Sequence, residues 1–151
     1  MFGATSMRIH PIFTQIDDWT GDGKNDGIEA LIEFQDTFGD PCKAAGTFIF
    51  EVFAYRAYHP DPRGPRLVEP FIGSTKRMED QQARWNRTSR TYQFQLASSD
   101  IRPGRSYVLS ASFDYGGGRF FDQVVIDAQT DTRRPEPAEP ARDPAASQPS
   151  E

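Results

Sequence analysis

The run Tyr107-Val-Leu-Ser-Ala-Ser-Phe113-Asp114-Tyr-Gly-Gly-Gly118-Arg-Phe-Phe-Asp-Gln-Val-Val-Ile126 decides the fold class. Tyr107, Leu109, Ala111 and Phe113 alternate with Ser106, Val108, Ser110 and Ser112. After the break, Phe120, Asp122, Val124 and Ile126 interleave with Phe121, Gln123 and Val125. A period of two places alternate side chains on opposite faces, which is the pattern of a strand with one face inward. Asp114 to Gly118 reads as a tight hairpin in which glycine supplies positive φ. Two strands joined by so short a turn are antiparallel.

The same period recurs upstream. Ile28, Ala30, Ile32 and Phe34 alternate with Glu29, Leu31, Glu33 and Gln35. Phe48, Phe50, Val52 and Ala54 alternate with Thr47, Ile49, Glu51 and Phe53, and Tyr92, Phe94 and Leu96 with Thr91, Gln93 and Gln95. A further strand is expected over Arg8 to Ile16, with Pro11 marking it as an edge, and a weaker one over Arg66 to Ile72. Thr75 to Arg87 is the one segment with helical spacing, with Met78, Gln82 and Trp85 on one face. About seven short strands predict an all-β fold, an antiparallel two-sheet sandwich. No repeat is visible.

Composition bounds what such a fold does. The 151 residues allow one domain with a tail. Twelve phenylalanines supply a core although the overall apolar share is only 36%. From Gln129 to Glu151 there is no aromatic residue and no Ile, Leu, Val or Met, so that segment is expected to be a disordered, Pro-rich acidic tail. Residues 1–7 are expected to be a flexible N-terminus, and 8–128 the sandwich domain. A net charge of -5 argues against nucleic acid as a partner. No stretch is apolar enough for a transmembrane segment. One cysteine, Cys42, excludes an intrachain disulfide. Met1 to Met7 lacks the basic and apolar regions of a signal peptide, which leaves the compartment open between the cytoplasm and, for a mature or truncated form, the cell envelope.

Ile101-Arg-Pro-Gly-Arg-Ser-Tyr107 resembles the entry to the penultimate strand of fibronectin type III and related immunoglobulin-like sandwiches. The resemblance implies a tyrosine corner, in which the Tyr107 hydroxyl bonds back to the turn before its strand. It speaks to fold and not to activity. The absence of a Cys pair and the long connections at Tyr58–Pro70 and Gly73–Arg90 depart from that family.

Asp18-Trp-Thr-Gly-Asp-Gly-Lys-Asn-Asp-Gly-Ile-Glu29 is similar to the calcium loops of EF-hands, dockerins and thrombospondin type 3 repeats. Calcium takes six to eight oxygens, which such loops supply from positions one, three, five, seven, nine and twelve. Here these are Asp18, Thr20, Asp22, the Lys24 carbonyl, Asp26 and Glu29, with Gly23 at the sharp turn. A start at Asp17 puts Trp19 and Gly21 at ligand positions, which fixes the register. Four carboxylates in so short a loop repel one another without a cation. Asn25 at position eight and strand-like flanks exclude a helix–loop–helix sensor. The competing reading is a plain Asp/Gly turn with solvated acids.

No catalytic motif emerges: there is no GxSxG, HExxH, P-loop or GxGxxG opening a helix. His10 and His59 read as rim residues. Cys42 reads as an unreactive thiol in a hairpin loop, with Lys43 beside it to lower its pKa somewhat. Asn86-Arg-Thr88 fits the glycosylation sequon, a pattern frequent by chance. Lys76, Arg77, Arg84, Arg87 and Arg90 are interleaved with Trp85 and Tyr92, and suit either a solvated connection or contact with a sugar, phosphate or protein. The expected function is a non-enzymatic binding or scaffold module, resembling small sandwich domains of bacterial secreted proteins and lipoproteins. Its partner is an unknown protein or envelope component, and one calcium ion stabilises it. The alternatives are a purely structural sandwich without an ion, or an enzyme or C2-like lipid-binding domain. Asp36 and Asp40, expected at the opposite end from Asp18–Asp26, disfavour the C2-like reading.

Overall fold

The computed structural model describes residues 3–11, 14–21, 23, 26–102 and 104–127. The expected tail, residues 129–151, and the first two residues lie outside the described part. Within it the chain is an antiparallel β-sandwich, compatible with an immunoglobulin-like fold.

One sheet is organised about β10 (Tyr107–Asp114), the deciding strand. It pairs along its whole length with β11 (Arg119–Ile126) on one side and with β5 (Thr47–Tyr55) on the other. Two short strands, β6 (Arg63–Arg66) and β7 (Phe71–Ser74), then pair with opposite ends of β5. The other sheet is built on β3 (Gly27–Gln35) and β9 (Thr91–Ala97). β1 (Ser6–Ile9), β2 (Gln15–Asp17) and β4 (Pro41–Cys42) pair with β3, and β8 (Trp85–Asn86) pairs with β9.

The alternating positions carry the core. Phe48, Phe50, Val52, Leu109, Ala111 and Phe113 from one sheet are completely buried against Ile28, Ala30, Ile32, Phe34, Phe94 and Leu96 from the other. The rings interlock across the layers: Phe34–Phe113 and Phe48–Phe94 centroids are each 4.7 Å apart, and Phe48–Phe113 are 4.6 Å apart, all tilted. Each such ring stabilises the fold by roughly 1.5–3 kcal/mol through burial, with tilted ring pairs adding to it. One side of the sandwich is tied by Asp122, whose carboxylate accepts the Ile9 N–H of the other sheet at 2.8 Å.

The tyrosine corner is present. Tyr107 is buried, and its hydroxyl accepts the Arg102 N–H at 2.7 Å and donates to the Arg102 carbonyl at 3.2 Å. One hydroxyl thus satisfies two main-chain groups of the turn.

Four local expectations are corrected. Arg8 to Ile16 is not one strand: β1 ends at Ile9, Pro11 sits in a turn, and β2 starts at Gln15. β1 also takes in Ser6 and Met7, and Met7 joins the core. Arg66 to Ile72 is not one strand either, because β6 and β7 are separate pieces at either end of β5. The helix α1 (Met78–Arg84) stops before Trp85, which pairs with Tyr92 in β8–β9 instead of extending the helical face, and Met78 is exposed.

Candidate functional site

The Asp18–Glu29 loop joins β2 to β3, whose pairing closes with Asp17 opposite Gly27. Gly27 opens the β3–β9 pairing opposite Ala97, and a Cβ there would fall 2.1 Å from the Leu96 carbonyl oxygen, at φ +155°. Asp18 organises the start of the loop. Its Oδ1 accepts the Gly21 N–H and its Oδ2 the Gly23 N–H, both at 2.8 Å, and both glycines have positive φ. The Thr20 hydroxyl lies 3.3 Å from Asp18 Oδ1 and 2.9 Å from Asp26 Oδ2, and the Thr20 N–H bonds the same Asp26 oxygen at 2.9 Å. Partial desolvation raises the Asp18 pKa, but the hydrogen bonds from Gly23 and Gly21, with those involving Asp26 and Thr20, outweigh it and hold the carboxyl below its ordinary 3.8.

The loop therefore brings Asp18, Thr20 and Asp26 together. It does not bring Glu29 to them: Glu29 sits opposite Gln15 and Gln95 on β3, and its carboxyl faces Asp17. Burial first, then the neighbouring Asp17 charge, raise the Glu29 pKa above the usual 4.5. Asp22 and Lys24 lie outside the described residues. Among the described residues no three His, Cys, Asp or Glu side chains are close enough to hold a metal ion. The two carboxylates that do meet are bridged by a hydroxyl and by loop amides.

The other sequence candidates are placed as follows. Cys42 is in β4 opposite Phe34, and not in a loop; burial, then Asp36, push its thiol pKa up, so the lowering expected from Lys43 is not seen. The Asn86 side chain is tied down, accepting the Thr88 N–H at 2.8 Å and donating to Gln93 at 3.3 Å. Asp36 accepts the Phe38 and Asp40 amides in the β3–β4 turn, at the opposite end of β3 from Asp18.

A feature that sequence reasoning did not single out is the outer face of the β10 sheet. Ile72, Phe121, Val125 and Ile49 point away from the core and are 74%, 56%, 48% and 42% exposed. The register lines up Phe121, Ser112, Ile49 and Ile72 in one row across β11, β10, β5 and β7. A second row holds exposed Val125, buried Val108 and half-buried Phe53, and the polar row Gln123, Ser110 and Glu51, with Glu51 paired to Arg66 at 3.3 Å, lies between the two. Strand spacing makes the first row about 14 Å wide. The outer face of the β3 sheet differs: Arg8, Glu33, Glu29, Gln93 and Gln95 occupy it, with Arg8 paired to Glu33 at 2.7 Å. The signal was present in the sequence as Ile49, Phe53, Phe121 and Val125, which with the buried Val108 are the apolar members of the outward sets of β5, β10 and β11. No helix of the described residues is long and apolar enough to cross a membrane. A comparison with known proteins found no matching family model, no matching curated protein and no matching solved structure.

Proposed function

We propose that this chain is a non-enzymatic binding module that uses the outer face of the β10 sheet to hold a protein partner of the cell envelope or extracellular space. One observation carries the reading: exposed apolar side chains are aligned in register on one sheet, while the opposite sheet is faced with charged and amide groups. Ile49 and Ile72 lie side by side in that row, with Phe121 beyond Ser112, and large apolar side chains exposed together on one face mark interaction sites. A photo-crosslinking residue placed at Ile72 or Phe121 forms an adduct with the partner, and one placed at Gln95 on the opposite sheet does not. Equal adducts from all three positions overturn the reading.

The calcium clip is the second proposal. The meeting of Asp18 and Asp26 about Thr20 supports it, with Asp22, the Lys24 carbonyl and Glu29 completing the shell. Glu29 then has to turn from Asp17 toward the loop, which relieves its repulsion with that carboxylate. Bound ion stabilises the fold by about 1.4 kcal/mol at ten times its dissociation constant. Melting in EDTA and in millimolar calcium tests this: equal midpoints refute it and leave a plain turn.

A further inference from the structure

The basic segment about α1 is built around a tryptophan. Trp85 meets Tyr92 edge-on at 5.0 Å between centroids. The Tyr92 hydroxyl is fixed by the Gln81 side chain at 2.7 Å and by the Ala44 N–H at 3.0 Å. Gln81 in turn donates to the Thr75 carbonyl at 2.8 Å and to the Ala44 carbonyl at 3.1 Å. The indole is therefore held in place from behind. In front of it lies a cleft of about 310 Å³ lined by Lys43, Met78, Gln81, Gln82, Trp85 and Arg87. The Lys43 ammonium stands 5.3 Å from the indole centroid.

The charges of this segment are unbalanced. Among the described residues, Lys43, Lys76, Arg77, Arg84, Arg87 and Arg90 make no salt bridge. The acids of the segment are Glu79 and Asp80, and Asp80 is committed to the Arg77 N–H at 3.1 Å. Five cations against two acids over residues 76–90, with Lys43 brought beside Trp85, stand out in a chain whose net charge is -5. Arg84 is spent on the Phe94 ring at 4.8 Å and Arg90 reaches the Pro41 carbonyl at 3.3 Å, so Lys43 and Arg87 are the cations left at the cleft.

From this arrangement we infer a second docking site, in which the Trp85 cleft takes an acidic, extended peptide segment of a partner protein. Carboxylates of the segment pair with Lys43 and Arg87, and a proline or aliphatic side chain between them lies on Trp85 and Met78. Opposite charge supplies the attraction, and prepaid ordering of the indole lowers the cost of binding. Tryptophan, methionine and arginine together are the composition of protein-binding surfaces, which favours a polypeptide over an acidic glycan. The site is separate from the β10-sheet face, so either stands without the other.

The test is a titration of the isotope-labelled full chain with a blocked Glu-Pro-Glu-Ala-Glu-Pro hexapeptide, followed by nuclear magnetic resonance. Trp85→Phe assigns its indole signal against that of Trp19. Saturable shifts are expected at the Trp85 indole N–H and at the amides of Lys43, Gln82 and Arg87. The affinity falls about tenfold in Lys43→Gln/Arg87→Gln, whose substituted side chains are exposed, and falls similarly when salt shortens the Debye length from about 10 Å to about 3 Å. An equal response to the Gln-Pro-Gln-Ala-Gln-Pro peptide overturns the proposal. So do shifts centred elsewhere, no shift at all, or shifts of the Trp85 signals by a uronic-acid oligosaccharide with none from the peptide.

Discussion

Tyr107→Phe removes one oxygen from the buried corner and leaves its ring in place. The Arg102 N–H then loses a bond of 2.7 Å and the Arg102 carbonyl one of 3.2 Å. The turn is half-exposed to water, with Arg102 and Gly104 exposed and Ile101 buried, so water recovers part of the loss for the carbonyl. The N–H is the costlier orphan, since it faces a ring that is only 1% exposed. An unsatisfied buried donor costs about 1–3 kcal/mol, and partial rehydration places the expected value at about 1.5 kcal/mol. Urea unfolding at constant pH reads this as a lower midpoint with an unchanged slope. Tyr115→Phe is the control: its ring is on the exposed β10–β11 hairpin and its hydroxyl makes no hydrogen bond among the described residues, so it is neutral. A Tyr107→Phe loss below about 0.5 kcal/mol, no larger than that of an ordinary surface change, refutes the corner as a source of stability.

Gly27→Ala drives a Cβ into the Leu96 carbonyl across the β3–β9 pair, and a loss of about 3 kcal/mol or more is expected by chemical denaturation. Glu29→Gln without calcium stabilises the fold near pH 7. The raised folded-state pKa makes ionised Glu29 a cost above its titration range, and that cost disappears as pH falls below the ordinary 4.5; a stability gain that persists under acid contradicts this. Gln81→Ala removes one partner each from the Tyr92 hydroxyl and the Ala44 carbonyl, which keep their bonds to each other and to the Ala44 N–H and Thr75 hydroxyl, and takes from the Thr75 carbonyl its Gln81 donor; it is expected to lower stability by about 1 kcal/mol while broadening the Trp85 indole resonance. Deleting residues 129–151 leaves the thermal midpoint within a few degrees, because the segment has no large apolar side chain to bury.

The sandwich was legible because β3, β5, β9, β10 and β11 are long enough for alternation to repeat, and every inward position named for β10 is buried. Short elements were not legible. β6 and β7 have four residues each, too few for a period, and each exists only because β5 offers it an end to pair with. Trp85 satisfied a helical period, yet its place was decided by Tyr92, a tertiary partner that periodicity does not see. Asp122 fell on an inward position of β11, and only the approach of Ile9 from the other sheet gives it a bond. At the acidic loop, spacing picked out the residues that Thr20 draws together, Asp18 and Asp26. Spacing says nothing of rotation, and strand register turns Glu29 to Asp17. The apolar outer face was overlooked for a related reason: once one set of an alternating strand is assigned to the core, the other reads as solvent-facing whatever its chemistry.

The binding reading rests on that face, and an affinity comparison tests it most directly. The partner identified by crosslinking at position 72 is titrated against the wild-type chain and against Ile72→Ser/Phe121→Ser, with unfolding midpoints measured in parallel. Both side chains are more than half exposed, so stability should change by no more than about 0.5 kcal/mol per site. Affinity should fall at least about tenfold, the loss of more than about 1.4 kcal/mol of apolar contact. Unchanged affinity with unchanged stability would contradict the account.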